Sequence, residues 1–361
     1  MYGFIALPLY DDRPFSGDKK HHPMQIVYSV EEAFRTVSGG CVATIGNFDG
    51  VHQGHQQLIR SVVRQSEEMS LPAVVITFTP HPEQFFSPQT APALIMQENA
   101  KLELFAALGV DVALILPFTA GLAGLSPEDF VNRVLVEGLH VCHLFVGHDY
   151  AFGKGRKGNS SLLSNLGREC GFSFTQLMPV FSLGEVISST RIRSCMQKGM
   201  VDEARVLLGR PFFMQGTVTH GKKRGGASIG FPTANLATQA EFLAPASGVY
   251  ATKVCIVPEL PLPVSTKTIV PSSGNGKEYY GVTNVGTSPT FGDVDLRVET
   301  HILDFHGEIY DTPIRLWFVE HLRGERKFTS VQELSGQIAL DIAQARTIFS
   351  RLQGSGSKPP A

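Results

Sequence analysis

Cysteine is scarce and scattered in this chain: five among 361 residues, at Cys41, Cys142, Cys170, Cys195 and Cys255. Their number is odd and no two stand as Cys-x-x-Cys. Neither a disulfide framework nor a cysteine zinc site is indicated, and a reducing cytoplasm is the expected compartment. No apolar run reaches the roughly 20 residues that a membrane helix requires. Charge of one sign is also missing. Lys plus Arg number 31 and Asp plus Glu 33, for a net charge of -2, so no global pull toward nucleic acid exists. No His-Glu-x-x-His is present. Residues 1–10 are apolar but lack a basic lead, and Asp11-Asp12 follow, so they do not read as a signal peptide. No internal repeat is visible, and nothing in the pattern specifies an oligomeric state.

What is present points to two folded modules. A hydrophobic content of 43% supports full cores, and the length allows two or three domains. Residues 1–23 read as a loosely ordered extension and 354–361 as a disordered tail. From 24 to 208, strands alternate with helices. Ala73-Val74-Val75-Ile76-Thr77-Phe78 is a buried strand, 101–108 a helix closed by Gly109, and 111–116 the next strand. Ser126 caps a further helix with Pro127 in its first turn, and 143–147 is strand again. This order predicts an α/β fold, a parallel sheet with helices on both faces, with ligands at the carboxyl ends of the strands.

The pattern changes at Gly209-Arg210-Pro211-Phe212. Residues 213–320 are rich in Gly, Pro, Thr and Val in short runs, the signature of a small all-β barrel. The prolines and glycines of 257–278 predict a long loop. Val331, Leu334, Ile338, Ile342, Ala345, Ile348 and Leu352 form one apolar stripe on a closing helix. The second domain is therefore expected over 209–353, with Pro211-Phe212-Phe213 as rings that pack against the first.

The richest motif is Ile45-Gly46-Asn47-Phe48-Asp49-Gly50-Val51-His52-Gln53-Gly54-His55. A strand leads in and a helix pattern leads out. Such a glycine-rich turn aims backbone N–H groups and the positive helix end at an anion, which makes Gly46, Asn47, Phe48 and Asp49 nucleotide-binding candidates. His52 and His55 fall where phosphate would lie. Read alone, the pair has an alternative as surface or capping histidines. Zinc at His52, His55 and His81 is disfavoured because no nearby Cys supplies a ligand. Ser188, Ser189 and Thr190 put three hydroxyls at a predicted helix start, suited both to phosphate oxygens and to capping. Arg193 adds a fixed fork for pyrophosphate. The run 153–160 lacks the Lys that a Walker A loop needs where Asn159 stands, and is better read as a basic loop.

The His-x-Gly-His run resembles the nucleotidylyltransferase signature. Together with Thr77-Phe78-Thr79-Pro80-His81-Pro82, Val146-Gly147-His148-Asp149-Tyr150-Ala151-Phe152-Gly153 and Ile187-Ser188-Ser189-Thr190-Arg191-Ile192-Arg193, it resembles the adenylyltransferase module of bacterial bifunctional riboflavin kinase/FAD synthetases. The resemblance implies a Rossmann-like nucleotidylyltransferase fold, His52, His55 and Arg193 as catalytic residues, and His81, Asp149 and Asn159 as flavin contacts. Tyr150 stands where the family usually has Phe.

Gly216-Thr217-Val218-Thr219-His220-Gly221 and Gly230-Phe231-Pro232-Thr233-Ala234-Asn235-Leu236 resemble the riboflavin kinase half of the same family. The resemblance implies Gly216, Gly221 and Lys222 at the nucleotide, and Glu299 as the base that takes a proton from the ribityl 5′-hydroxyl. It also makes Arg323 a ligand contact. Thr233 and Asn235 offer hard oxygen ligands to Mg²⁺ beside ATP. Gly226 and Ser288 replace usual arginines, and both changes remove positive charge. The expected chemistry is riboflavin plus ATP to FMN, then FMN plus ATP to FAD and pyrophosphate. The partners implied are riboflavin, FMN, FAD and ATP, with no nucleic acid and no membrane. Three alternatives stay open: an adenylyltransferase with an inactive flavin-binding barrel, a kinase with a degenerate first module, and a non-enzymatic flavin-binding regulator.

Overall fold

Two strands explain how the first module is built. Cys41–Ile45 (β2) and Ala73–Thr79 (β3) carry apolar side chains at successive positions, not alternate ones, and all of β2 is buried. Such strands need cover on both faces, which a parallel sheet flanked by helices provides. The computed structural model describes residues 23–37, 39–220, 231–257, 268–269, 276–289 and 294–354. Met24–Val27 (β1), Val112–Pro117 (β4), Val141–Val146 (β5) and Ser173–Gln176 (β6) complete the parallel set. With Thr268–Ile269 they form a seven-stranded sheet in the order Thr268–Ile269, β1, β4, β3, β2, β5, β6. One face of the core joins Ala43, Ile76 and Leu114 to Leu163 and Val134. The alternate residues Val42, Val75 and Ala113 are just as fully buried, so both faces are covered.

The strand order marks where a ligand is expected. β2 and β5 are neighbours, yet the chain leaves β2 toward β3 and leaves β5 toward β6 on the opposite side. That reversal is the switch point at which open α/β sheets bind ligands beyond their strand ends. The two loops that meet there are 46–52 and 147–153.

The helices follow the sequence pattern closely. Val30–Thr36 (α1), Gln53–Met69 (α2), Pro82–Phe86 (α3), Glu98–Ala107 (α4), Ala120–Ala123 (α5) and Pro127–Phe130 (α6) precede Ser160–Cys170 (α7). Ser126 caps α6 by accepting from the Asp129 N–H, with Pro127 in the first turn, as its residues require. One π-helical stretch, Val131–Val136, continues α6. Phe181–Ser182 (β7) and Glu185–Val186 (β8) form a small hairpin before Ser189–Gln197 (α8) and Val201–Leu208 (α9).

The second unit is a closed antiparallel barrel, which removes exposed sheet edges. Phe212–Thr219 (β9), Ala234–Leu236 (β10) and Gly248–Ile256 (β11) lead into it. Lys277–Pro289 (β13), Val294–Ile302 (β14) and Pro313–Arg323 (β15) complete it, with Thr268–Ile269 counted as β12. Its order is β10, β14, β13, β11, β15, β9. Three threonines cross its interior: Thr252 and Thr283 share a hydroxyl bond of 2.7 Å, Thr283 and Thr300 one of 2.9 Å. Each hydroxyl is buried and satisfied, which is the condition for a polar group in a core. The helix Val331–Gly354 (α10) lays Ala345, Ile348 and Phe349 on Val249, Ala251 and Val282 outside the barrel. The expected stripe holds there, whereas Val331 at its start is exposed.

Three further findings differ from the pattern-based expectation. The stretch 257–278 is not loop throughout, because β-branched Thr268 and Ile269 pair antiparallel with Met24 and Gln25 on the sheet edge. The rings of Phe212 and Phe213 pack on Phe318 and Trp317 of the adjacent strand β15, one pair on each face of their own barrel wall. The hydrogen bonds of their strand dictate this, since Phe213 is paired with Trp317 and Phe212 with Phe318. Helices α8 and α9 fall, from Thr190 onward, in the compact unit that holds the barrel, while β12 falls in the sheet unit. Gly221, Lys222 and Gly226, with the extension 1–22 and the tail from 355, lie outside the described residues.

Candidate functional site

The turn between β2 and α2 is held from several sides. Phe48, Gly50 and Val51 all have left-handed backbone, with φ of 52°, 83° and 39°. For Phe and β-branched Val this conformation is costly, so surrounding contacts must hold it. Gln56 Nε2 donates to the Val51 carbonyl at 2.9 Å, and Val51 N–H to the Phe48 carbonyl at 3.1 Å. Gly50 meets Ile95, whose side chain would lie 3.0 Å from any added Cβ. Phe48 is buried, edge-on to His55 at 5.2 Å and to Phe105 at 5.5 Å. Of the four turn residues proposed for nucleotide contact, Phe48 and Asp49 thus shape the loop. The Asp49 carboxylate accepts the Ile95 N–H at 3.0 Å and 3.1 Å.

His52 is the N-cap of α2, and its Nδ1 accepts the His55 N–H at 3.3 Å. The capping reading of the pair is therefore correct for His52, and the two rings stack at 3.6 Å. Gly54 leaves room for that stack, since a Cβ there would lie 3.2 Å from the His52 ring. His55 Nδ1 is sealed from solvent without a hydrogen-bond partner. Burial, then His52, then Lys101 hold His55 well below the usual histidine pKa, so it is neutral.

One hydroxyl of the triplet joins this turn. Ser189 Oγ donates to the Asp49 carbonyl at 2.9 Å, across 140 residues of sequence. Arg193 follows Ser189 by four residues in α8, hence on the same helix face. Arg191, by contrast, is bound to Glu203 at 2.7 Å.

The flavin candidates are more dispersed. His81 caps α3, accepting the Glu83 N–H at 3.2 Å. Asn159 caps α7 by accepting the Leu162 N–H at 3.0 Å. Asp149, in the loop after β5, is exposed and has His148 at 3.9 Å. Tyr150 stacks on Phe152 at 5.5 Å, and burial pushes its hydroxyl pKa far up. Beside His81 lies a group of rings that sequence reading did not single out. Phe118 meets Phe78, Phe85 and Phe86 edge-on at 5.4–5.6 Å, with Phe86 65% exposed. Such an exposed aromatic group at a strand end is a ready surface for a flat ring. Its sequence signal was Phe85-Phe86 just after the His81-Pro82 motif. Lys101 was also overlooked as a site residue; a lysine between buried Ala100 and Leu102 was the signal.

In the barrel, register assembles the second site. Glu299 on β14 pairs with Asn235 on β10 and Asn284 on β13. Residues in register on adjacent strands share a face, so one acid and two amides stand together. Thr233 is two residues from Asn235, and His301 Nδ1 donates to the neighbouring Pro232 carbonyl at 2.9 Å. Gly216 lies in β9, where a Cβ would collide with the Ala237 carbonyl. Arg323 is bidentate on buried Asp341, at 2.9 Å and 2.8 Å, and a further nitrogen donates to the Gly324 carbonyl. Much of its fork therefore anchors α10. Ser288 belongs to β13. Among the described residues no group of three His, Cys, Asp or Glu side chains is arranged to hold a metal.

Comparison with known proteins gives this pair of sites its context. The FAD synthetase family matches residues 35–191 and the riboflavin kinase family residues 208–349. A bifunctional riboflavin kinase/FMN adenylyltransferase of Escherichia coli strain K12 is 36% identical over 90% of this chain and 98% of its own length. The chain belongs to the bifunctional riboflavin kinase/FMN adenylyltransferase family. The Pseudomonas fluorescens member is 38% identical over 90% of this chain, and the Bacillus subtilis member 35% over 86%. The turn with His52 and His55 lies in the FAD synthetase half, and the Asn235–Glu299–Asn284 row in the riboflavin kinase half. A solved Streptococcus pneumoniae structure, titled a macrolide-efflux protein, superposes with a TM-score of 0.75 over 90% of this chain and 99% of its own, at 28% identity. Among the described residues no helix is long and apolar enough to cross a membrane.

Proposed function

We propose that the two activities of this bifunctional flavin-cofactor enzyme divide over the two sites as follows. At the 46–55 turn, a phosphate oxygen of FMN attacks the α-phosphate of ATP. A P–O bond to FMN forms, the bond to the β-phosphate breaks, and pyrophosphate leaves. His55, neutral and buried, and His52 donate to the phosphate oxygens as negative charge develops. Ser188, Ser189 and Thr190 hold the departing phosphates, and Arg193 neutralises pyrophosphate. The Phe78, Phe86 and Phe118 rings, with His81, receive the isoalloxazine, and Asp149 and Asn159 supply its further polar contacts. The stacked, solvent-sealed histidine pair carries this reading.

In the barrel, Glu299 takes the proton of the ribityl 5′-hydroxyl as that oxygen attacks the γ-phosphate of a second ATP, releasing ADP. ATP is the co-substrate of both steps. The hydroxyl of Thr233 and the amide oxygen of Asn235 fit Mg²⁺, a hard cation that takes oxygen ligands. When bound, Mg²⁺ would neutralise charge on the ATP phosphates. Gly216 belongs to the nucleotide side of this step, and Arg323 contacts flavin with whatever part of its fork Asp341 leaves. The five cysteines are all free thiols, which supports a reducing, cytoplasmic setting. Incubating the protein with riboflavin, ATP and Mg²⁺ and resolving FMN from FAD by chromatography tests the assignment. Both products should form, and FAD only after FMN.

A further inference from the structure

The 46–50 turn is also tied to a buried cation. Lys101, on α4, is 9% exposed. Its Nζ donates to Thr77 Oγ1 at 3.3 Å, and Thr77 Oγ1 donates to the Asn47 carbonyl at 3.3 Å. Thr77, at the end of β3, is fully buried. The relay therefore fixes the direction of one carbonyl in the turn. A trans peptide holds the following N–H antiparallel to that carbonyl, so the Phe48 N–H is aimed the opposite way, out of the relay.

The charged groups around Lys101 are Glu98 on its own helix, Asp49 in the turn, and His55. Asp49 and Glu98 favour its charge while burial opposes it. The Asp49 carboxylate is itself anchored by the Ile95 N–H, at 3.0 Å and 3.1 Å. Burying an ammonium costs stability even with carboxylates nearby. A methionine of similar length would avoid that cost. Such a costly group, placed beside the turn and His55, is expected at a functional site rather than in a purely structural core.

We propose that Lys101 is a positioning residue of the adenylyl site: through Thr77 it fixes the Asn47–Phe48 peptide, and its charge completes a cradle for the ATP phosphates. This rests on the reading of the His52/His55 turn as that site. It adds a second role: after burial and His52, the Lys101 charge helps hold His55 neutral, so His55 is a donor that carries no charge of its own.

The test uses the full-length protein with Lys101→Met and Thr77→Val, and with His55→Ala alongside. FAD formation from FMN should fall by about 10–100-fold in kcat with Lys101→Met. FMN formation from riboflavin should stay unchanged, and the melting temperature should hold or rise. The acid limb of the FAD-synthesis pH profile should move to higher pH, since His55 loses a repelling neighbour. Thr77→Val should lower kcat in the same direction without moving that limb. A Lys101→Met enzyme within twofold of wild type in FAD formation overturns the proposal. So does a parallel loss of melting temperature with an unmoved acid limb, which would make Lys101 structural. If Lys101→Met does not fold, an unchanged kcat in Thr77→Val overturns the relay. Undiminished FAD formation by His55→Ala would instead sink the site reading itself.

Discussion

The rings of His52 and His55 lie 3.6 Å apart and 16° from parallel at the start of α2. One cap bond from the His55 N–H to His52 Nδ1 and the bare Cα of Gly54 make this stack possible. Three residues of spacing thus give His52 the cap position and His55 the sealed position against Phe48. His55→Ala should reduce FAD formation from FMN by about 10²–10³, the usual effect of losing one donor to a developing negative charge. FMN formation from riboflavin should be spared. Steady-state rates of both reactions on the same preparation check this. Equal loss of both would indicate misfolding.

Burial also gives His55 a pH signature. Its folded pKa lies well below the ordinary 6.5, so between those two values the unfolded chain binds the extra proton. Stability from this group is therefore complete above about pH 6.5 and is lost as pH falls toward the folded value. Thermal melts from pH 8 to pH 5 should show a smaller acid loss in His55→Gln than in wild type. Identical acid slopes would mean that His55 titrates normally.

Glu299 stands in register with Asn235 and Asn284, so its removal can be tested without changing strand pairing. Glu299→Gln keeps the shape and loses the proton acceptor. FMN formation should drop by about 10²–10⁴, while FAD formation from supplied FMN stays at the wild-type rate. A wild-type kinase rate would assign the proton to another group.

Asp341 should matter more to the barrel than its distance from Glu299 in sequence suggests. Its carboxylate, 3% exposed, takes both arms of Arg323. Asp341→Ala should destabilise the protein by about 3 kcal/mol, the low end for breaking a buried pair, because Arg323 retains some contact with water. Denaturant melts report the change. Less than about 0.5 kcal/mol would place the pair with ordinary surface salt bridges.

The legible parts of this protein are those fixed by local chemistry. The Ser126-Pro127 helix start, the buried run 73–79 and the His52 turn depend on neighbours within a few residues, and each appears as its residues demand. The closed barrel is also foreshadowed by short β-rich runs. Less legible features depend on partners far away in sequence. Ser189 reaches Asp49 across 140 residues, Arg323 finds Asp341 on a helix, and Thr268 with Ile269 completes a sheet begun at Met24. Lys101 looked like an ordinary polar helix position, because its partner Thr77 belongs to a strand that its own apolar pattern had already explained.

The central claim is that FMN passes between two chemically independent sites, each complete in its own half of the chain. Mixing His55→Ala with Glu299→Gln in one tube with riboflavin, ATP and Mg²⁺ tests it most directly. The first variant should make FMN and the second should adenylylate it, so the mixture should yield FAD although neither variant alone does so at an appreciable rate. A mixture that accumulates FMN, or makes nothing, would contradict the account.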